Sequence, residues 1–212
     1  MASVDFRFNN LEEETERIIS YIDNIDFYIT NKYHLTWPNL SADLLNRINE
    51  KQTNDEDKKK IKLAIKEDMD AEKFNAKFKE INTDWKNIES KFFDDAAKFL
   101  QIKPLSNYNC RFTRYGTGGS YHPPKDIVIN IATCKFPVKT IAHEIIHLMI
   151  HDLIEKFEIS HWEKERLVDL YIRDILSKDI MQNIKDAELI KKVDGVYEKY
   201  KSNGAESVIS KI

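Results

Sequence analysis

Residues 140–152 read TIAHEIIHLMIHD, two histidines four positions apart with a glutamate directly after the first, inside an otherwise apolar run. On a helix His143 and His147 differ by about 40° in azimuth and about 6 Å in rise, so both imidazoles can converge on one ion. Glu144 lies about 100° round from His143, close enough to reach a water on that ion without being a ligand. Ile141, Ala142, Ile145, Ile146, Leu148, Met149 and Ile150 would bury such a helix on most sides. Two histidines and a glutamate left there without partners are costly, and a divalent cation supplies the partner.

A catalytic zinc needs a third protein ligand and an open position for water. His151, His161, Glu163, Glu165 and Asp169 are the downstream candidates. Eight residues separate His151 from His143, about 12 Å of helical rise, too far for both to bind one ion. In HWEKERLVDLYIRDIL (161–176), Leu167, Leu170, Tyr171 and Ile175 mark an amphipathic helix, with Glu165 and Asp169 four apart on a neighbouring face. That pair can divide the work, Glu165 binding the metal while Asp169 accepts the free N–H of a ligand histidine and fixes its tautomer. Glu163 has Leu167 where such a partner would sit, and His161 stands as the next alternative.

HEIIH (143–147) followed by ERLVD (165–169) resembles the gluzincin branch of the zincin metallopeptidases, whose pattern is HExxH and then ExxxD on a second helix. The resemblance covers about 30 residues and implies a zincin-like catalytic region in 104–212. It also implies one zinc per chain on His143, His147 and Glu165, with Glu144 as general base and Asp169 as the supporting carboxylate. The metzincin extension HExxHxxGxxH is not met, because Ile150 stands in place of the glycine and Leu153 in place of the third histidine. No GxMEN stretch of the gluzincin aminopeptidases is present, which favours an endopeptidase.

The expected reaction is hydrolysis of a peptide bond in a peptide or protein substrate, with water activated by the metal and its proton taken by Glu144. The oxyanion needs a further donor, for which Tyr121 and His161 are chosen from a set that includes Tyr115, His122 and Tyr171. The competing expectation is an interaction protein whose zinc site is structural or degenerate and whose amino-terminal helices bind a partner. The His/His/Glu set fits zinc best and also suits other transition metals.

The elements that must position these residues follow from the rest of the chain. Glycine and proline number five each, and most fall between Pro104 and Pro137, so that stretch reads as strands and loops and its flanks as helices. Upstream, Leu11, Ile18, Ile22, Ile25 and Ile29 share one helix face, and Leu40, Leu44, Leu45 and Ile48 another beyond Trp37-Pro38; 51–60 is a polar connection or a solvated helix start. Phe74, Phe78, Ile81, Trp85, Ile88 and Phe92 form one stripe of a long helix. Strands are expected within 109–131, at Arg111–Tyr115 and at DIVINI, with GTGG as a turn or as an edge or flap over a bound peptide. Helices are expected over 138–157, 162–176 and 181–201.

The fold class is therefore α+β and mainly α: a helical region, 1–103, packed on a region, 104–212, with a small sheet beside the histidine helix. A composition 42% hydrophobic and 33% charged, with a formal net charge of −3, is globular and suggests neither nucleic-acid nor membrane binding. MASVDFRFNNLEEETER lacks the apolar core of a signal peptide, so a cytoplasmic protein is expected. Cys110 and Cys134 are expected to be reduced thiols.

Overall fold

A computed structural model describes residues 2–68, 72–177, 182 and 184–212. In chain order the elements are β1 (Ser3–Phe8), α1 (Leu11–Asp23), α2 (Ile25–Thr30), α3 (Ala42–Asn49), α4 (Asp55–Asp68), α5 (Glu72–Leu100), β2 (Asn107–Thr113), β3 (Gly119–His122), β4 (Asp126–Asn130), α6 (Pro137–Lys156), α7 (His161–Leu176), α8 (Ala187–Tyr200) and α9 (Ala205–Ile209). The molecule is mainly helical with one small sheet, as its patterning implies.

The sheet has the order β1-β2-β4-β3, with β2 parallel to both neighbours and β3 antiparallel on the edge. Alternation sends Val4, Tyr108, Cys110, Phe112, Ile127 and Ile129 to one face, where they join α5, α6 and α7 in the main core. The opposite face is met by α1, through Thr113 to Glu14, Arg111 to Glu13 and Arg17 to Ser120. With both faces covered, the middle of β4 reads as a continuous apolar run, Ile127-Val128-Ile129. The stripe on α5 is core in the stretch Ile81, Trp85 and Phe92, with Phe74, Phe78 and Ile88 partly buried beside it. A second core joins Ile18, Ile22, Leu44, Ile48, Ile61, Ile65 and Tyr115, so α1, α3 and α4 pack on one another and on the loop before β3.

Several expectations shift. The region 1–103 is not all helical, because Ser3–Phe8 forms the strand β1, paired in register with β2 a hundred residues later. The 104–137 segment, expected to hold at least two strands, holds three, with GTGG feeding straight into the added one, β3. The helix expected over 181–201 runs from Ala187 to Tyr200; residues 181 and 183 lie outside the described ones, and Asp186 caps the helix by accepting from the Glu188 and Leu189 amides. Cys110 and Cys134 are buried free thiols. Among the described residues no helix is long and apolar enough to cross a membrane.

Candidate metal centre

Helix α6 starts at Pro137 in its first turn, where the missing N–H costs nothing, and is buried through its middle, Ile141–Leu148. Helix α7 starts at Ser160, which forms a reciprocal capping box with Glu163. The two helices pack side by side and bring their polar residues to one point: His143, Glu144 and Glu165 are each 7% exposed, His147 2% and Asp169 1%. Burial this deep, on apolar helices, leaves these groups dependent on one another or on a cation.

His143 Nε2 and His147 Nε2 are 3.0 Å apart, and Glu165 places Oε2 3.3 Å from the first and Oε1 3.4 Å from the second. Ligands at about 2.0–2.1 Å on a tetrahedral ion stand roughly 3.3–3.4 Å from each other. The three donors therefore already have close to the spacing that one zinc-sized ion requires, and His143, His147 and Glu165 form a buried group able to hold a metal. Behind them Asp169 Oδ1 lies 3.4 Å from His143 Nδ1 and 3.7 Å from Lys139 Nζ, while its Oδ2 accepts the Gln182 backbone N–H. The Gln182 side-chain amide donates to Glu165.

The electrostatics follow from this packing. Burial opposes a charge on His143, but the carboxylates of Asp169 and Glu165 outweigh it and raise the imidazole to about 10. His147, also desolvated and beside His143, is lowered to about 4. Burial works against ionisation of Glu165 too, yet the two histidines hold it well below the usual carboxylate range. Burial, reinforced by the Glu165 charge and opposed by His143, pushes Glu144 up to about 7.

The group opens into a cleft of about 560 Å³ walled by α2 and the loop after it, by β3, and by α6 and α7. Tyr121, on the β3 face towards α6, stacks on the His147 ring, and its hydroxyl accepts from Lys164 Nζ at 3.1 Å. His161 sits on the cleft wall with Nε2 2.8 Å from the Tyr33 hydroxyl, and burial lowers its pKa. The other candidates fall elsewhere. Glu163 is taken up by the Ser160 cap and by Lys192 at 2.6 Å, and His151 packs edge-on to Tyr121.

Sequence reasoning missed Phe27, Tyr33, Lys139, Lys164 and Gln182, all of which line the cleft. Lys164 lies within the charged run EKER, which reads as a solvated face, and nothing local marks Tyr33, 128 residues from the histidine it binds. No protein-family model, no curated protein and no solved structure matches the chain.

Proposed function

We propose that this protein is a zinc-dependent metallopeptidase of gluzincin type, an endopeptidase acting on peptide or protein chains, with a zincin-like core made of the sheet, α6 and α7. The observation that carries the reading is the three-donor group His143, His147 and Glu165, set at tetrahedral spacing with a free carboxylate, Glu144, beside it. A structural zinc site closes with a fourth protein ligand and has no use for such a carboxylate, whereas a hydrolytic one leaves a position open.

When bound, zinc would supply Lewis acidity and bring the pKa of a coordinated water towards neutrality. Glu144, buried beside the three-donor group and outside it, would take a proton from water and return it to the departing amine. Tyr121 and the Tyr33–His161 pair line the cleft as candidate donors to the developing oxyanion, and Lys164 adds a positive charge beside Tyr121. Asp169 faces His143 Nδ1 and would orient that ring by accepting its N–H. Edge strand β3 offers backbone groups to an extended peptide laid alongside the cleft.

The test is elemental analysis of protein purified without chelator, followed by a cleavage assay. About one zinc per chain, lost in His147→Ala and kept in Glu144→Gln, with proteolysis abolished in both, is the expected result. Unchanged proteolysis in Glu144→Gln would sink the mechanism, and absence of zinc after reconstitution would sink the metal centre.

A further inference from the structure

Gly118 precedes the edge strand and Gly119 opens it, and the two are not equivalent. A Cβ built on Gly118 meets nothing within 4 Å, whereas one built on Gly119 would lie 2.5 Å from Glu144 Oε1 and 2.7 Å from Thr140 Cγ2. Neither residue is among those with positive φ, so backbone conformation does not demand glycine at 119. Gly119 and Tyr121 share the face of β3 that looks onto α6, since side chains alternate along a strand. The space that a side chain of residue 119 would fill is occupied by the Glu144 carboxylate.

We infer that Gly119 is a positioning residue: by lacking a side chain it lets the Glu144 carboxylate lie against the edge strand, beside the three-donor group. This rests on the reading of Glu144 as the base, and it makes the glycine part of that base's seat. The nearest clash made by a methyl group falls on the far end of the flexible Glu144 side chain, which can swing away at little cost to the fold, and the other on Thr140 Cγ2, a β-branched side chain that must give by a few tenths of an ångström. Damage would therefore appear in the chemistry, because misplacing a catalytic group by about 1 Å can cost on the order of 100-fold in rate.

The test compares Gly119→Ala with Gly118→Ala, which stiffens the chain equally but makes no contact. Crystal structures and melting curves of both come first. In Gly119→Ala the Glu144 carboxylate is expected to be displaced while β3, His143, His147 and Glu165 keep their places and zinc content is unchanged. A Glu144 that stays put, or a β3 that moves instead, overturns the inference whether or not the protein is a hydrolase.

Turnover of fluorescein-labelled casein then separates placement from general damage. Gly119→Ala is expected to lose about 10- to 100-fold in kcat with little change in KM, and Gly118→Ala to resemble wild type. Glu144→Asp withdraws the carboxylate by one methylene, so adding Gly119→Ala to it should cost no more than about twofold further, the non-additivity expected of two changes acting through one group. Losses that multiply would mean the glycine acts on something other than Glu144. A wild-type protein that cleaves nothing would remove the hydrolase reading, while the position of Glu144 in the crystals still decides the seat.

Discussion

The Tyr121 ring lies flat against the imidazole of His147, centroids 4.7 Å apart and planes 6° from parallel. A member of the three-donor group on α6 is thus braced by the edge strand, and the same tyrosine holds Lys164, whose Nζ lies 5.1 Å above its ring. Because the hydroxyl accepts from Lys164, its own proton is left to point at a third group.

On the proposed function Tyr121 has two separable roles. Tyr121→Phe keeps the stack and should hold zinc as wild type does while losing about 100- to 1000-fold in kcat, the range for removing one oxyanion donor. Tyr121→Ala should in addition weaken zinc by about 10-fold, as loss of a ligand's support does. Zinc titration beside steady-state kinetics measures both, and equal zinc affinity in the two variants would show that the stack contributes nothing.

Asp169 and Glu163 make a contrasting pair on one helix. Asp169→Ala removes the carboxylate facing His143 Nδ1 and should weaken zinc by about 10- to 100-fold. Glu163→Ala breaks the capping box with Ser160, should cost about 1 kcal/mol of stability, and should leave zinc affinity alone. Competition with a chromogenic chelator, together with urea melts, distinguishes the two. Loss of zinc in Glu163→Ala would reopen the identity of the third ligand.

Metal and fold should be linked. Zinc that binds only the native chain adds about 4 kcal/mol when free zinc is 1,000 times its Kd, so chelation should lower the Tm by several degrees. The difference between loaded and stripped protein should shrink in acid, since protons compete for the two histidines. A Tm indifferent to chelator at neutral pH would show that the metal is not held by the folded centre.

The Arg7–Glu13 pair sets an expectation for acid stability. Its hydrogen bonds with Arg7, helped by the Asn10 amide, lower Glu13 from the ordinary 4.5 to about 2 against the cost of partial burial. A folded-state pKa below the unfolded one stabilises the fold above about pH 4.5 and loses that contribution as pH falls towards 2. Arg7 is half exposed, which keeps the pair under about 1 kcal/mol. Glu13→Gln retains the capping role at the third helical position, so it should flatten the acid limb of a stability curve between pH 4.5 and 2 while leaving α1 intact. An acid limb as steep as wild type would assign it to other carboxylates.

What could be read from the chain alone was what is local. His143, Glu144 and His147 share one helix, and Glu165 and Asp169 share another, so helical geometry by itself predicts which of them face together. The apolar stripe of α5 is legible for the same reason. Strand β1 was hidden because six residues of alternation, SVDFRF, carry little signal without their partner. Strand β3 was ambiguous because its opening glycines also make ordinary turns. Tyr33 and Lys164 were invisible as cleft residues, since only the tertiary fold brings α2 and its following loop against the start of α7.

The register of β1 on β2 has a consequence during synthesis. Ser3 pairs with Asn107, 104 residues further on, so β1 leaves the ribosome well before its partner. At about 5–20 residues per second that delay is roughly 5–20 s, during which β1 carries backbone groups unpaired with another strand and the exposed apolar side chains of Val4, Phe6 and Phe8. The α1–α3–α4 core, assembled mostly from residues made in the interval, can form first; closure of the sheet comes late, and nascent chains stalled before residue 107 are the ones expected to need a chaperone.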